Sequence, residues 1–328
     1  PKKILLNISA TDLEVAVHGA AQAEIEKSGS ITVNARNLYD IIKESPSEEI
    51  HISSEDNNRI LITSLNSEYK IVGLPATDFP SLPAIQGKFT RVSSDDFLKM
   101  FDKVCFAMST DETRYHLNGV LLERSEKGLI IVATDGHRLS LTEQPIKLDS
   151  IKLEKAILPR KGVQELRRLM GVEKSFEICV AERHVFIRTE KQTLFIRLID
   201  GNFPDYNRVV PKENNIHIEL PKDELVGALK RVSLLANDRS KGVLFYFCNG
   251  SLTLSTSNPE MGEARENLDI DYKGGTLNIG FNAKYVLDAV GVVPDATVKF
   301  AFKDEISSCL ITCESDPGFR SVVMPMRM

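Results

Sequence analysis

Apolar residues recur along this 328-residue chain in two rhythms, one with helical spacing and one that alternates as strands do. Ser93-Ser94-Asp95-Asp96 supplies capping hydroxyls and first-turn acids, and Phe97, Leu98, Phe101, Val104, Cys105 and Met108 follow at helical spacing. Pro221-Lys222-Asp223-Glu224, followed by Leu225, Leu229, Val232 and Leu235, predicts a helix of the same kind. Three further helices, each after a turn, are expected from Asn34 to Ser45, from Arg160 to Met170 and from Asn282 to Val293. Between them, Ile60-Leu61-Ile62, Leu129-Ile130-Ile131-Val132, Val185-Phe186-Ile187, Leu244-Phe245-Tyr246-Phe247 and Leu252-Thr253-Leu254 read as strands.

The elements repeat. Ala10-Thr11-Asp12-Leu13-Glu14 has a counterpart in Ala133-Thr134-Asp135-Gly136-His137 and a weaker one in Thr256-Ser257-Asn258-Pro259-Glu260, at intervals of 123 positions. Phe79-Pro80 and Phe203-Pro204 lie 124 apart, and the three later helix starts lie 126 and 122 apart. An interval this long is one ordinary domain per copy, far beyond the periods of solenoids and propellers.

Three copies are therefore expected, each with two helices and about eight strands, the helices lying on one face of antiparallel sheet in an α+β arrangement. Proline clusters (Pro75, Pro80, Pro83; Pro204, Pro211) place the boundaries at 1–87, 88–211 and 212–328. Shifting the Ser93 helix back by one interval puts it before residue 1, so the first copy reads as lacking an opening strand–helix–strand unit.

Composition narrows the class. Hydrophobic content of 42% and charged content of 27% are ordinary for a globular protein, no apolar run is long enough for a membrane, and Pro1-Lys2-Lys3-Ile4 does not read as a signal peptide. Cys105, Cys179, Cys248, Cys309 and Cys313 are few, odd in number and without a C-x-x-C pair, which suits free buried thiols in a cytoplasmic protein. A net charge of −5 argues against a protein that wraps nucleic acid with its whole surface, although a local basic face remains possible.

Catalytic motifs are sparse. No phosphate-binding glycine loop and no H-E-x-x-H occurs, and neither a cofactor nor a metal is expected. Cys309 and Cys313 share a strand face, which fits core packing better than metal or redox use. The tetrad Gly136-His137-Arg138-Leu139 follows Thr134-Asp135 in the middle copy alone. Asp135, His137 and Arg138 could serve acid/base chemistry, or Asp135 could cap a turn beside a solvated Arg138. The tail Val322-Val323-Met324-Pro325-Met326-Arg327-Met328 is apolar where termini are usually polar. Ser321 to Val323 fits a last strand, whereas the thioethers beyond suit a pocket for varied partners. The helix from Arg160 carries Arg160, Lys161, Arg167 and Arg168 against Glu165, which is either a solvated face or a phosphate-facing one. Arg114-Tyr115-His116 could pair a phosphate contact with a stacking ring.

With repeat, tetrad and tail in place, the chain resembles the bacterial sliding clamp, the beta subunit of DNA polymerase III. The resemblance runs from about Ile4 to Met328 through Thr11-Asp12-Leu13-Glu14, Leu74-Pro75 with Asp78-Phe79-Pro80, Arg114-Tyr115 with Leu117-Asn118-Gly119, and Val132 to Leu139. It continues through Pro159-Arg160-Lys161-Gly162-Val163, Asp200-Gly201 with Phe203-Pro204-Asp205-Tyr206, Gly280-Phe281-Asn282 with Tyr285-Val286-Leu287-Asp288, and the tail.

The resemblance implies three DNA-clamp domains, a head-to-tail homodimer closed into a ring around duplex DNA, and no catalytic activity. It implies partners that dock through short linear peptides with Leu and Phe anchors: the polymerase III catalytic subunit, the clamp loader, and other polymerases or repair proteins. Carried over by position, the peptide pocket comprises Leu117, Thr134, Gly136, His137, Arg138, Leu139, Pro204, Arg208, Val209, Asn282, Tyr285, Ser308, Val322, Val323, Met324, Pro325, Met326 and Arg327. Arg114, Tyr115, Arg160, Lys161, Arg167 and Arg168 are the expected DNA-facing residues; Ile41, Tyr69, Ile71, Leu234 and Leu235 are expected at the dimer joint or in the core. Three departures stand out: Ser240 where the pocket of the best-known member has an aromatic residue, Met328 in place of a terminal Leu, and acidic Asp111 and Glu112 before Arg114.

Overall fold

A computed structural model of the chain describes residues 3–148 and 154–327; Pro1, Lys2 and Met328 lie outside the described residues. Among the described residues there are five α-helices: α1 (Ala35–Lys43), α2 (Ser94–Val104), α3 (Arg160–Met170), α4 (Lys222–Val232) and α5 (Ala283–Gly291). No helix among the described residues is long and apolar enough to cross a membrane. Eight described strands fall in each of the segments 88–211 and 212–328, which agrees with the strand content expected per copy.

The chain divides into two compact units, one of residues 1–86 with 186–196 and the other of 87–185 with 197–328. In the first unit, Lys3–Thr11 and Val15–Glu24 form a hairpin, and Gln192 to Ile196 pair with Gly19 to Val15. A separate four-stranded sheet runs in the order Ile31–Val33, Ser67–Pro75, Arg59–Ser64, His51–Glu55. Helix α1 is capped by Asn34, whose Oδ1 accepts the Asn37 N–H at 3.1 Å, yet it buries none of its residues.

In the second unit, one antiparallel sheet of eight strands passes through both later copies. Its order is Lys155–Pro159, Gly119–Arg124, Leu129–Thr134, Arg138–Gln144, Arg320–Val323, Cys309–Thr312, Thr297–Phe302, Ile216–Pro221. The copies meet where Arg138 pairs with Val323, Leu139 with Val322, Ser140 with Ser321 and Leu141 with Arg320. This backbone ladder makes copies two and three a single compact unit. A four-stranded sheet (Gly262–Asp269, Ser251–Asn258, Gly242–Cys248, Leu277–Asn282) completes copy three, where Phe245 meets Phe281 edge-on at 5.3 Å between centroids.

Helix α2 begins as its sequence dictates, with the Ser93 hydroxyl accepting the Asp96 N–H and Phe97, Phe101 and Val104 fully buried. Each such side chain contributes about 1.5–3 kcal/mol of burial. The helix ends earlier than the apolar spacing predicts: Cys105–Ala107 tightens into a 3-10 turn, and Met108 lies beyond it. The cause is long-range. The Ser140 hydroxyl donates to the Lys103 carbonyl at 2.6 Å, the Arg138 guanidinium to the Phe106 carbonyl, and Arg160 to the Met108 and Ser109 carbonyls at 3.0 and 2.7 Å. Side chains from other elements thus satisfy carbonyls that a longer helix would have used. Leu235 likewise falls in a 3-10 turn after α4.

The repeated turn is copied bond for bond in the first two copies. Thr11 Oγ1 donates to Val15 O at 3.1 Å and accepts Leu13 N–H at 3.0 Å, while Asp12 Oδ1 accepts Glu14 and Val15 N–H at 3.1 and 2.8 Å. Thr134 and Asp135 make the same four contacts at 2.6, 3.1, 2.9 and 3.0 Å. The third copy departs from the expected turn chemistry. Asn258 keeps one contact, to Glu260 N–H, but the Ser257 hydroxyl turns to Glu263, and the pairing runs one step further into the turn, to Asn258 with Gly262.

The turn needs a left-handed residue at its third position, which is Gly136 (φ 89°) in copy two and Leu13 (φ 76°) in copy one. A side chain there is strained, and Leu13 is 67% exposed, so it gains little burial in return. Leu13→Gly is expected to stabilise the first unit by about 0.5–1 kcal/mol, read as a raised urea midpoint. A lower midpoint would show that the leucine is held by contacts worth more than the strain.

Candidate functional site

The apolar tail is stitched down rather than frayed. After the strand Arg320–Val323 ends, Met324 N–H donates to His137 O at 3.0 Å and Met326 N–H to Gly280 O at 2.8 Å. The tail therefore runs from the tetrad of copy two to the strand Leu277–Asn282 of copy three. That strand leads into α5 through Asn282, whose Oδ1 accepts Tyr285 N–H at 3.3 Å and whose Nδ2 donates to Ser240 O at 3.0 Å. Ser308 directly precedes Cys309, which pairs with Val323. The tetrad, the tail, Asn282, Tyr285 and Ser308 thus form one patch.

A second wall comes from the segment between the copies. Phe203, Val209 and Val210 pack on the cluster of Leu121, Val132, Leu139, Leu141, Ile157, Tyr206 and Val322. Tyr206 anchors this segment: it is 5% exposed, and burial followed by its hydrogen bond to Glu123 pushes its phenol well above the usual range. Pro204 and Arg208 stay exposed, with Arg208 paired to Asp205 at 3.0 Å.

The residues carried over by resemblance sort into two sets. Leu117, Thr134, Arg138, Leu139, Val322 and Val323 are buried and form the frame. Gly136, His137, Pro204, Arg208, Val209, Asn282, Tyr285, Ser308 and Met324 to Arg327 are exposed or half-buried and can meet a ligand. Ile306, absent from the sequence-based set, is 87% exposed only two residues before Ser308. Its turn is fixed by Asp304, which accepts Ile306 and Ser307 N–H, and by Glu305, which accepts Asn278 N–H. A lone apolar residue in the run Asp304-Glu305-Ile306-Ser307-Ser308 gives no periodic signal.

The expectation of a solvated Arg138 is corrected. Its side chain is 7% exposed, bonded to Asp135 at 3.1 Å, to Asp288 of α5 at 2.6 Å and to Phe106 O. Its guanidinium lies over the rings of Tyr285 and Phe106, 4.4 and 5.3 Å from their centroids. The hairpin brings Arg138 to α2 and α5, where two carboxylates and two rings compensate its desolvation. Asp135 is occupied by two backbone N–H groups and by Arg138 Nε, so an acid/base site at Asp135 and His137 loses its orienting carboxylate.

Other expected residues are placed as follows. Arg160 caps backbone carbonyls, Arg167 is paired with Asp102, and Lys161 and Arg168 are exposed on the same helix. Arg114 approaches Asp111 at 3.5 Å and Asp135 O at 3.4 Å, and Tyr115 is 56% exposed. In the first unit, Ile41, Tyr69 and Ile71 are half-buried, Tyr69 and Ile71 lying opposite Ile62 and Ile60. In the second, Leu234 is 73% exposed and Leu235 half-buried. Cys309 and Cys313 are buried as core residues, whereas Cys105 and Cys248 are only half-buried; burial pushes the Cys105 thiol up to about 12.

Comparison with known proteins decides the family. The chain matches the DNA polymerase III beta subunit N-terminal domain over residues 2–83, the central domain over 91–205 and the C-terminal domain over 207–327. The chain belongs to the DNA polymerase III beta-subunit family. Among members of that family, the beta sliding clamp of Pseudomonas putida is 35% identical over 326 residues, covering 98% of this chain and 89% of its own length. That of Caulobacter vibrioides is 36% identical over 332 residues with the same coverage. The crystal structure of the DNA polymerase III subunit beta from Pseudomonas aeruginosa superposes with a TM-score of 0.93 at 35% identity, covering 100% of this chain and 91% of that one. The three-domain clamp fold, with helices on antiparallel sheets, is thereby that of the family.

Proposed function

We propose that the chain is a non-catalytic processivity factor: a sliding clamp that encircles duplex DNA as a homodimer and tethers a polymerase to it. The observation that carries this reading is the ordered match to all three beta-subunit domains over nearly the whole chain. The relatives are named beta sliding clamps and the family is not enzymatic. In this reading the domains are 1–87, 88–211 and 212–328, and a head-to-tail joint involves Ile41, Tyr69, Ile71, Leu234 and Leu235. Helix α1, with Tyr39 and Ile42 exposed, and the exposed Leu234 support such a joint, since each offers apolar surface that a second protomer can cover.

A ring holds DNA by topology and needs no strong contact, which reconciles DNA association with a net charge of −5. Lys161, Arg167 and Arg168, exposed on α3, supply the mild and non-specific attraction that sliding tolerates. The patch of tetrad, tail, Asn282, Tyr285 and Ser308 is the site for peptides from the polymerase, the clamp loader and repair proteins. Its thioethers and half-buried rings accept Leu and Phe anchors.

Primer extension by a replicative polymerase and its clamp loader on a primed circular template tests the function. Adding this chain is expected to lengthen the products of a single binding event, and linearising the template to reduce that gain because a topological tether slides off an end. Products of unchanged length on the circle would overturn the reading.

A further inference from the structure

We propose that Arg138 is a positioning residue of the peptide site: it holds the Tyr285 ring and α5 against the hairpin of copy two, so that the pocket wall stands formed before a peptide arrives. This rests on the peptide-site reading and moves Arg138 from the ligand surface to the layer behind it. The geometry commits every nitrogen of the guanidinium to a partner within the protein. One edge donates to Asp135 Oδ2 at 3.1 Å, another to Asp288 Oδ2 at 2.6 Å, and a third N–H to Phe106 O. The rings of Tyr285 and Phe106 lie 4.4 and 5.3 Å from its central carbon, and only 7% of the side chain meets solvent.

These partners come from three separate stretches of chain: the turn at Asp135, the 3-10 turn after α2, and α5. Arg138 is their common point. Tyr285, by contrast, is half-buried and faces the patch from the first turn of α5, so its ring can be both wall and lever. A planar fork that stacks and donates in several directions is a property of arginine that lysine lacks. Copy one has Val15 at this position of the matching turn, so the first copy keeps the turn without the lock.

The test uses the full chain, a fluorescein-labelled peptide with Leu and Phe anchors, and fluorine NMR of fluorotyrosine-labelled protein. The Tyr285 signal is assigned by its loss in Tyr285→Phe. Arg138→Lys is expected to weaken the peptide about tenfold, the scale of one stacked and doubly paired cation, and to shift the Tyr285 signal with no peptide present. In a Tyr285→Ala background the same change should cost less than about twofold, because its effect runs through the ring. Asp288→Asn, which keeps the arginine but weakens one anchor, should move the Tyr285 signal in the same direction. Full multiplication of the Arg138 and Tyr285 effects would mean that Arg138 touches the peptide, and would overturn the proposal. An unmoved Tyr285 signal in Arg138→Lys would also overturn it. If tail deletion and Tyr285→Ala both leave the peptide bound, it is the pocket reading that has failed. The Tyr285 signal then still decides whether Arg138 holds the ring.

Discussion

Removal of Met324–Met328 is expected to abolish binding of a clamp-motif peptide while leaving the sedimentation of the protein unchanged. The two effects separate because the tail has two parts. Val322 and Val323 are fully buried within the eight-stranded sheet and stay in the shortened chain, so the fold and any dimer joint keep their support. What is lost is the wall beyond them: Met324 tied to His137 O, Met326 tied to Gly280 O, and the half-buried Pro325 between them. A small peptide has few anchors, and losing a whole wall should exceed about 3 kcal/mol, or more than about a hundredfold in affinity. Isothermal calorimetry measures it. Unchanged affinity would remove the tail from the site.

Asp316→Ala is expected to be the most destabilising single change at the seam between copies two and three. Asp316 is 8% exposed and receives Lys103 of α2 together with Gln144 Nε2, the latter at 3.1 Å. The alanine would strand a lysine that is only 18% exposed, at a cost of about 3 kcal/mol. Replacing both partners, as Lys103→Met with Asp316→Leu, should cost far less because no charge is left unpaired. Urea unfolding of the four proteins gives the coupling directly. A loss below about 1 kcal/mol for Asp316→Ala alone would show that Lys103 finds water or another acceptor. Close packing nearby adds to the expectation, since a Cβ on Gly318 would come 2.1 Å from the Glu143 carbonyl oxygen.

What the sequence disclosed depended on how far apart the interacting residues lie. The start of α2 was readable from Ser93, Asp95 and Asp96, because caps and first-turn charges act within one turn. The repeated turn was readable because Thr134 and Asp135 bond to residues two to four positions away. The end of α2 was not, since Ser140, Arg138 and Arg160 supply its closing bonds from more than thirty positions downstream. For the same reason Arg138 looked solvated: its decisive partner, Asp288, is 150 positions away. The resemblance gathered the candidate residues, but it could not divide frame from surface. That division needed burial, which puts Thr134, Leu139 and Val322 inside and leaves His137, Tyr285 and Met324 accessible.

The strand pairing that joins copies two and three also has a mechanical meaning. Four consecutive residue pairs, from Arg138 with Val323 to Leu141 with Arg320, cross that seam, and the part of a load that runs along the strands is shared among their hydrogen bonds. Bending there would break the ladder, whereas a joint made only of side chains can give gradually. A polymerase pulling on a peptide held at Met324 and His137 would therefore pull directly on this ladder, and the tether would transmit force with little slack.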